Sequence, residues 1–351
     1  MTDAIRARAA VFYGPGRISI AEKEFHLQNG RAGDSLQESI LKIRSCCVCG
    51  YDARVFRNGH RKVNPPIVLG HEICAETTKD LGSMKAGTRV AVYPVLPCLD
   101  CRYCLQKRYN LCINMKEIGS THDGGFAQYI KIPKETIQIG GLLPVPDSLS
   151  DEEASLIEPL ACCLNGFSQI NGALDKDSSV AIIGDGPIGL LHLQLLKNLL
   201  GTRPVVVGKV SERMDAARSF GPAKVFSADD EVSEMLRFSE GSGYDLVVVA
   251  TSEPSAVELA GKIASKGSCI NIFAGIKGRA ALDPNLVHYN QISVNGSFSS
   301  TPDNFRRAAR LASDKIIDLS KIITHRYSLD TIAEAISVTE SYRGLRAVVI
   351  P

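Results

Sequence analysis

The apolar positions of this chain follow two different rhythms. Up to about residue 150 they come as short β-type runs, Ala9–Phe12, Ile40–Ile43, Thr88–Tyr93 and Phe126–Ile132, separated by turn signals such as Gly14-Pro15-Gly16 and Asn64-Pro65-Pro66. Short runs bounded by Gly and Pro predict strands, so this region reads as mostly β with irregular loops. From about residue 178 the rhythm changes. Apolar runs at 179–184, 204–208, 245–250 and 268–273 alternate with helix-period segments at Ile188–Leu200, Glu212–Phe220 and Ser255–Ile263. That alternation predicts βαβ units and a doubly wound parallel sheet. Beyond residue 300 the pattern predicts a helix over Asp303–Ala312, a strand in His325-Arg326-Tyr327-Ser328-Leu329, a helix over Thr331–Thr339 and a last strand, Leu345–Ile350. A strand that follows the α/β block is free to return to the β region.

Composition narrows the class. A chain of 351 residues with 44% hydrophobic and 22% charged side chains is globular and long enough for about two domains. Lys plus Arg is 40 and Asp plus Glu is 38, a net charge of +2, which excludes a strongly basic nucleic-acid or membrane-surface protein. No apolar run approaches the roughly 18 residues of a membrane span. The 11 cysteines are an odd number, and the opening residues do not resemble a signal peptide. The expectation is therefore thiols rather than disulfides, and a reducing, cytoplasmic setting.

Chemistry enters first at Gly184-Asp185-Gly186-Pro187-Ile188-Gly189, which fits G-x-G-x-x-G between a buried strand and a helix. In that context Gly184 permits the tight turn, Gly186 the approach of a pyrophosphate, and Gly189 close helix–strand packing. An acidic residue is expected at the end of the next strand to hold the ribose of NAD, but Gly208 stands there, followed by Lys209, Ser211 and Arg213. A glycine with cations nearby makes room for a 2′-phosphate, so NADP is favoured over NAD.

The thiols supply the second chemistry. Cys98, Cys101, Cys104 and Cys112 stand as C-x2-C-x2-C-x7-C, a spacing that closes a tetrahedral zinc site. An iron–sulfur reading is disfavoured because Ile113, not Pro, follows Cys112. Cys49 and His71 offer two ligands for a second, catalytic zinc, with Glu72 and Glu158 competing for the third place. Asp52 is the candidate carboxylate to orient His71. Arg54, Arg57, His60 and His122 are candidate walls for a substrate.

Together these residues give the chain a clear likeness. Arg8–Gly16, Cys49-Gly50-Tyr51-Asp52, Gly70-His71-Glu72, the four cysteines, Asp123–Tyr129 and Glu158-Pro159-Leu160-Ala161 resemble the motifs of zinc-dependent medium-chain dehydrogenases, over nearly the whole chain. Glu158 resembles the polyol (sorbitol, butanediol) branch. The resemblance implies a GroES-like catalytic domain, residues 1–160 with a structural-zinc lobe at about 94–116, a Rossmann domain at 161–298, and a return to the catalytic domain at 299–351. It implies two zinc ions per chain, NADP or NAD, a small alcohol or ketone substrate and a homodimer or homotetramer. The activity implied is reversible hydride transfer between a secondary alcohol (a polyol, sugar, cyclitol or amino-sugar derivative) and NAD(P). A threonine-type dehydrogenase, a zinc-free reductase and a non-catalytic NADP-binding module are the rivals. Tyr51 departs from the usual Ser or Thr of the proton relay, the histidine often found near Arg54 is absent, and Asn165 replaces a frequent His.

Overall fold

The computed structural model describes residues 4–26, 38–170 and 174–351. The chain divides into two compact units, one made of Met1–Ala161, Ser300–Lys315 and Leu319–Pro351, the other of Cys162–Ser299 and Ile316–Asp318.

The first unit is built on antiparallel pairing. Ala4–Gly14 folds back on Arg17–His26 through the Gly14–Gly16 turn and also pairs with Ile67–Val68. The larger sheet centres on Ser39–Cys47, which pairs with Glu72–Thr77, Tyr129–Ile132 and the terminal strand Arg346–Ile350. The terminal strand thus returns to the β unit as its position in the sequence allows, with Val348 opposite Cys47 and Val349 opposite Cys46. The alternating apolar positions of these strands, with Phe12, Leu41, Ile73, Ile130 and Val349, pack into one core together with Ile332 and Ile336 of the helix Ile332–Glu340. The strands that carry Cys46–Cys47 and Glu72–Ile73 are therefore anchored on apolar faces, and the residues just outside them are held in place. The short pair Val95–Leu96 and Lys116–Glu117 flanks the four-cysteine segment.

The second unit holds six parallel strands in the order Lys224–Ser227, Val205–Gly208, Val180–Ile183, Tyr244–Val249, Ala264–Ile272, Ser293–Gly296. This is the doubly wound order, with the reversal beside Val180–Ile183. The strands at Val180, Val205 and Tyr244 are buried nearly throughout, which explains why they read as unbroken apolar runs. Two strands escape the pattern. Lys224–Ser227 and Ser293–Gly296 lie at the sheet's edges, are short and carry polar residues, so neither periodicity nor an apolar run marks them. The helix Val232–Phe238, between two of these strands, also lacks a sequence signal of its own. No helix among the described residues is long and apolar enough to cross a membrane, and all 11 cysteines are free thiols.

His192 sits inside this unit on the helix Pro187–Leu200, 1% exposed, with neither ring nitrogen hydrogen-bonded and its ring 4.7 Å from that of Phe273. Burial pushes its pKa down to about 3. The unfolded chain binds this proton below pH ~6.5 and the folded chain does not, so stability falls as pH drops from about 6.5 toward 3. His192→Leu removes this term. Urea unfolding at pH 4 to 7 is expected to show the variant gaining on the parent by about 1.4 kcal/mol for each unit below pH 6; a constant difference between the two proteins would contradict the buried neutral imidazole.

Candidate metal centres and dinucleotide turn

The first centre is assembled by one carboxylate. The helix Gly50–Asn58 starts after Cys49, and Asp52, in its first turn, accepts the Cys49 backbone N–H at 2.9 Å. Asp52 is fully buried. Its other oxygen is 3.3 Å from the Gly70 N–H and 3.5 Å from His71 Nδ1. Gly70 has φ +92, and a Cβ there would stand 2.7 Å from Cys46 Sγ, so only glycine admits this close turn. The strand Glu72–Thr77 begins at once after His71. As a result Cys49, His71 and Glu72 each place one ligand atom within 4.8 Å of the others. With Nδ1 facing Asp52, His71 leaves Nε2 for a metal. Burial disfavours a charged imidazole, but Asp52 and Cys49 outweigh it and hold the His71 pKa well above its ordinary value. The same negative surroundings favour a cation.

Glu72 is the strongest sign that a cation belongs here. Both of its carboxylate oxygens are buried without a hydrogen-bond donor. Arg346 Nη2 lies 3.3 Å from Oε1, close enough for an ion pair but out of line for a hydrogen bond. Burial raises the Glu72 pKa, and Arg346 and His71 oppose that rise. A buried carboxylate left without donors fits a metal ligand. Glu158 is buried on the helix Ile157–Ser168 and does not belong to this group of three.

Arg346 escapes a reading of motifs. It is 4% exposed, and its Nη1 donates to the Val48 carbonyl at 3.1 Å across 298 residues of sequence. The available signal was a single charge at the head of the apolar run Ala347-Val348-Val349, since a buried charge requires a partner. Ser120 is the second such residue. Its Oγ is 3.1 Å from the Tyr51 hydroxyl, and His60 Nδ1 is 3.4 Å from the same hydroxyl. The Tyr51 ring meets the His71 ring edge-on at 5.8 Å. Burial raises the Tyr51 pKa, so its hydroxyl keeps its proton at neutral pH. Of the other candidate wall residues, Arg54 is exposed, Arg57 pairs with Glu340, and His122 is partly buried beside Thr121.

The second centre is the four-cysteine cluster. The Sγ atoms of Cys98 and Cys112 are 3.4 Å apart, those of Cys101 and Cys104 3.5 Å, and those of Cys98 and Cys104 3.9 Å. A zinc tetrahedron with bonds near 2.3 Å has edges of about 3.8 Å, so the four sulfurs fit that ion. Backbone donors also favour thiolate. Burial opposes ionisation of Cys101, yet hydrogen bonds from Ile113, Cys104 and Tyr103 bring its pKa down to about 6.

In the second unit, the strand Val180–Ile183 leads through Gly184 to the helix Pro187–Leu200, which Gly186 caps and Pro187 opens. A Cβ on Gly189 would stand 1.9 Å from the Gly184 carbonyl oxygen, so the crossing requires glycine. At Gly186 the one atom within 4 Å of such a Cβ is Arg213 Nη1, at 3.5 Å. The turn is thus open to an anion beside free helix N–H groups and a guanidinium. Ile188 and Pro187 continue into the helix, while Asp185 turns toward Gly208. Gly208 corrects an expectation. The room its missing side chain leaves is occupied by the Asp185 carboxylate, 2.7 Å from where a Gly208 Cβ would stand, rather than open to a phosphate. Lys209 and Ser211 are exposed and Arg213 is buried.

Two family models match parts of the chain. Residues 35–147 match the alcohol dehydrogenase GroES-like domain and residues 187–314 the zinc-binding dehydrogenase domain. The chain is similar to L-galactonate-5-dehydrogenase of Escherichia coli (strain K12), 30% identical over 85% of this chain and 86% of the relative. It is 28% identical to a sorbitol dehydrogenase of Bacillus subtilis (strain 168), over 90% of each chain. Among solved structures, a putative zinc-binding dehydrogenase from Sinorhizobium meliloti 1021 bound to NADP superposes with TM-score 0.86 at 27% identity, covering 99% of this chain and 100% of that one.

The two centres are expected to fail differently. Cys101→Ser should lose one zinc per chain and lower Tm by about 5–10 °C, roughly 2–4 kcal/mol. Asp52→Asn should weaken metal at the other centre by about 10–100-fold while leaving the four-cysteine zinc in place. Metal analysis after graded chelation reads both; equal loss of both ions from either variant would contradict two separate sites.

Proposed function

This chain belongs to the zinc-dependent alcohol dehydrogenase family, and from that premise we propose that Cys49, His71 and Glu72 hold a catalytic zinc at which the secondary hydroxyl of a polyol or sugar-derived substrate is oxidised reversibly to a ketone. The family and its relatives make it an oxidoreductase acting on CH–OH with NAD(P). The observation that carries the site assignment is the trio Cys49, His71 and Glu72, with a buried Glu72 carboxylate that lacks donors: these three would hold a zinc with the number of protein ligands a catalytic ion takes.

Zinc, once bound, supplies the Lewis acidity that makes a substrate hydroxyl acidic near neutral pH, and NAD(P) accepts the hydride. The chain's own residues manage the rest. Asp52 fixes the tautomer and direction of His71 through Nδ1. Arg346 opposes the rise that burial imposes on the Glu72 pKa. Tyr51 stands where a proton must leave, and its hydroxyl reaches Ser120 and His60. His60 is exposed, its Nδ1 is shared between the Tyr51 hydroxyl and the Lys62 N–H, and partial burial together with Lys62 lowers its pKa, so at neutral pH a neutral imidazole stands between the tyrosine and water. This relay supplies the role of the histidine missing near Arg54. Glu158 serves as a buried neighbour on the following helix rather than as the third ligand.

The polyol class is supported by the relatives named for galactonate and sorbitol and by the polyol-type Glu158-Pro159-Leu160-Ala161 segment. Val294, exposed on the edge strand Ser293–Gly296, and Tyr289, exposed at the end of the helix Pro284–Tyr289 that precedes it, support an assembly of two or four copies through that edge. The thiolate chemistry of five zinc-binding cysteines supports a reducing, cytoplasmic setting.

A panel of sugar alcohols, sugar acids, butanediol and L-threonine, offered to zinc-loaded protein with each coenzyme separately, is expected to turn over a polyhydroxylated substrate. Zinc-loaded protein that reduces no coenzyme with any of them would sink the catalytic reading. Tyr51→Phe should lower kcat by about 10–100-fold with KM and zinc content little changed; a variant with parental kcat would remove Tyr51 from the proton path.

A further inference from the structure

Asp185 occupies the place on which coenzyme choice depends. In a doubly wound sheet the adenosine ribose comes to the end of the second strand, where an acid receives its hydroxyls in NAD enzymes. Here that strand is Val205–Gly208 and ends without an acid. The structure brings one in from the glycine-rich turn instead. Asp185 Oδ2 accepts the Lys209 N–H at 2.7 Å and the Val210 N–H at 2.8 Å, the first two backbone donors past the strand end. The residue is 7% exposed.

Gly208 and Asp185 depend on each other. A Cβ on Gly208 would lie 2.7 Å from Asp185 Oδ2, 2.9 Å from its Cβ and 2.5 Å from Met214 Cγ. The glycine is therefore explained by the carboxylate that fills its space. An additional 2′-phosphate is not needed to account for it. A phosphate arriving here would find both backbone donors already taken and a fixed negative charge in contact with it. A ribose diol would instead find an acceptor held rigidly by two N–H groups. Arg213 Nη1 is placed beside Gly186, on the pyrophosphate side of the turn. Lys209 is exposed, and Glu212, also exposed, adds a second negative charge in the first turn of the helix Ser211–Arg218.

We propose that Asp185 is the coenzyme-specificity residue of this chain: it substitutes for the missing strand-end acid, accepts the 2′-hydroxyl of NAD and excludes the 2′-phosphate of NADP. This rests on the dinucleotide reading of the second unit. It reverses the preference for NADP that Gly208 and its basic neighbours suggest when read without the fold.

The test is equilibrium binding without substrate. NADH and NADPH are titrated separately into the zinc-loaded protein, with nicotinamide fluorescence as the readout and calorimetry as the check. The parent is expected to bind NADH at least about thirtyfold more tightly than NADPH. Asp185→Asn keeps the size and an acceptor for the two backbone N–H groups but removes the charge. It should narrow the ratio at least about tenfold, chiefly through tighter NADPH binding, with an unchanged Tm. Parental protein that binds NADPH as tightly as NADH would overturn the inference and leave the dinucleotide site standing. An Asp185→Asn variant that loses both coenzymes in proportion would also overturn it, by reducing Asp185 to a structural part. Binding of neither coenzyme by the parent would overturn the inference together with the reading on which it rests.

Discussion

A single buried carboxylate, that of Asp52, holds the segments that bear Cys49 and His71 together. It has no exposed surface, yet it is satisfied by the Cys49 N–H, the Gly70 N–H and His71 Nδ1. Each contact has a consequence. The first closes the turn that presents Cys49, the second pins the loop before the strand, and the third turns Nδ1 of the imidazole to Asp52 and leaves Nε2 on its other side. A charge this deeply buried is tolerable only with such a set of donors. Cys49 and His71 are therefore tied to one another through this one carboxylate.

The second buried charge pair extends this frame across the chain. Arg346, on the last strand, reaches Glu72 and the Val48 carbonyl. It can do so because the terminal strand joins the sheet beside Ser39–Cys47. The return of the chain end to the first unit thus has a chemical use as well as a packing one. It delivers a permanent cation that opposes the effect of burial on Glu72, whose two carboxylate oxygens still lack hydrogen-bond donors.

The dinucleotide unit applies the same principle in the opposite direction. At the glycine-rich turn, open backbone N–H groups and Arg213 welcome an anion beside Gly186, whereas at the strand end Asp185 has claimed the N–H groups of Lys209 and Val210. Two positions more than twenty residues apart in sequence, joined in space by Asp185, therefore differ in the charge they accept. Local composition, with Lys209, Ser211 and Arg213 close together, does not distinguish them. What distinguishes them is which backbone donors are already occupied.

Much of this was legible in the chain itself. Buried parallel strands announce themselves as apolar runs, and the glycine-rich turn, the four-cysteine spacing, Cys49 and Gly70-His71-Glu72 are local in sequence, because turns and ligand loops are short-range constructions. The edge strands Lys224–Ser227 and Ser293–Gly296 were not legible, since a strand paired on one side need not be apolar. Contacts between distant segments were hidden as well: Arg346 with Glu72, Tyr51 with Ser120 and His60, and the choice of Glu72 over Glu158 for the group with Cys49 and His71. Sequence by itself determined the fold class, the two kinds of metal-binding motif and the dinucleotide turn, each written in residues that lie near one another along the chain. Tertiary structure decided which buried charges meet and which backbone donors remain free, because both depend on distances in space that spacing along a chain does not encode.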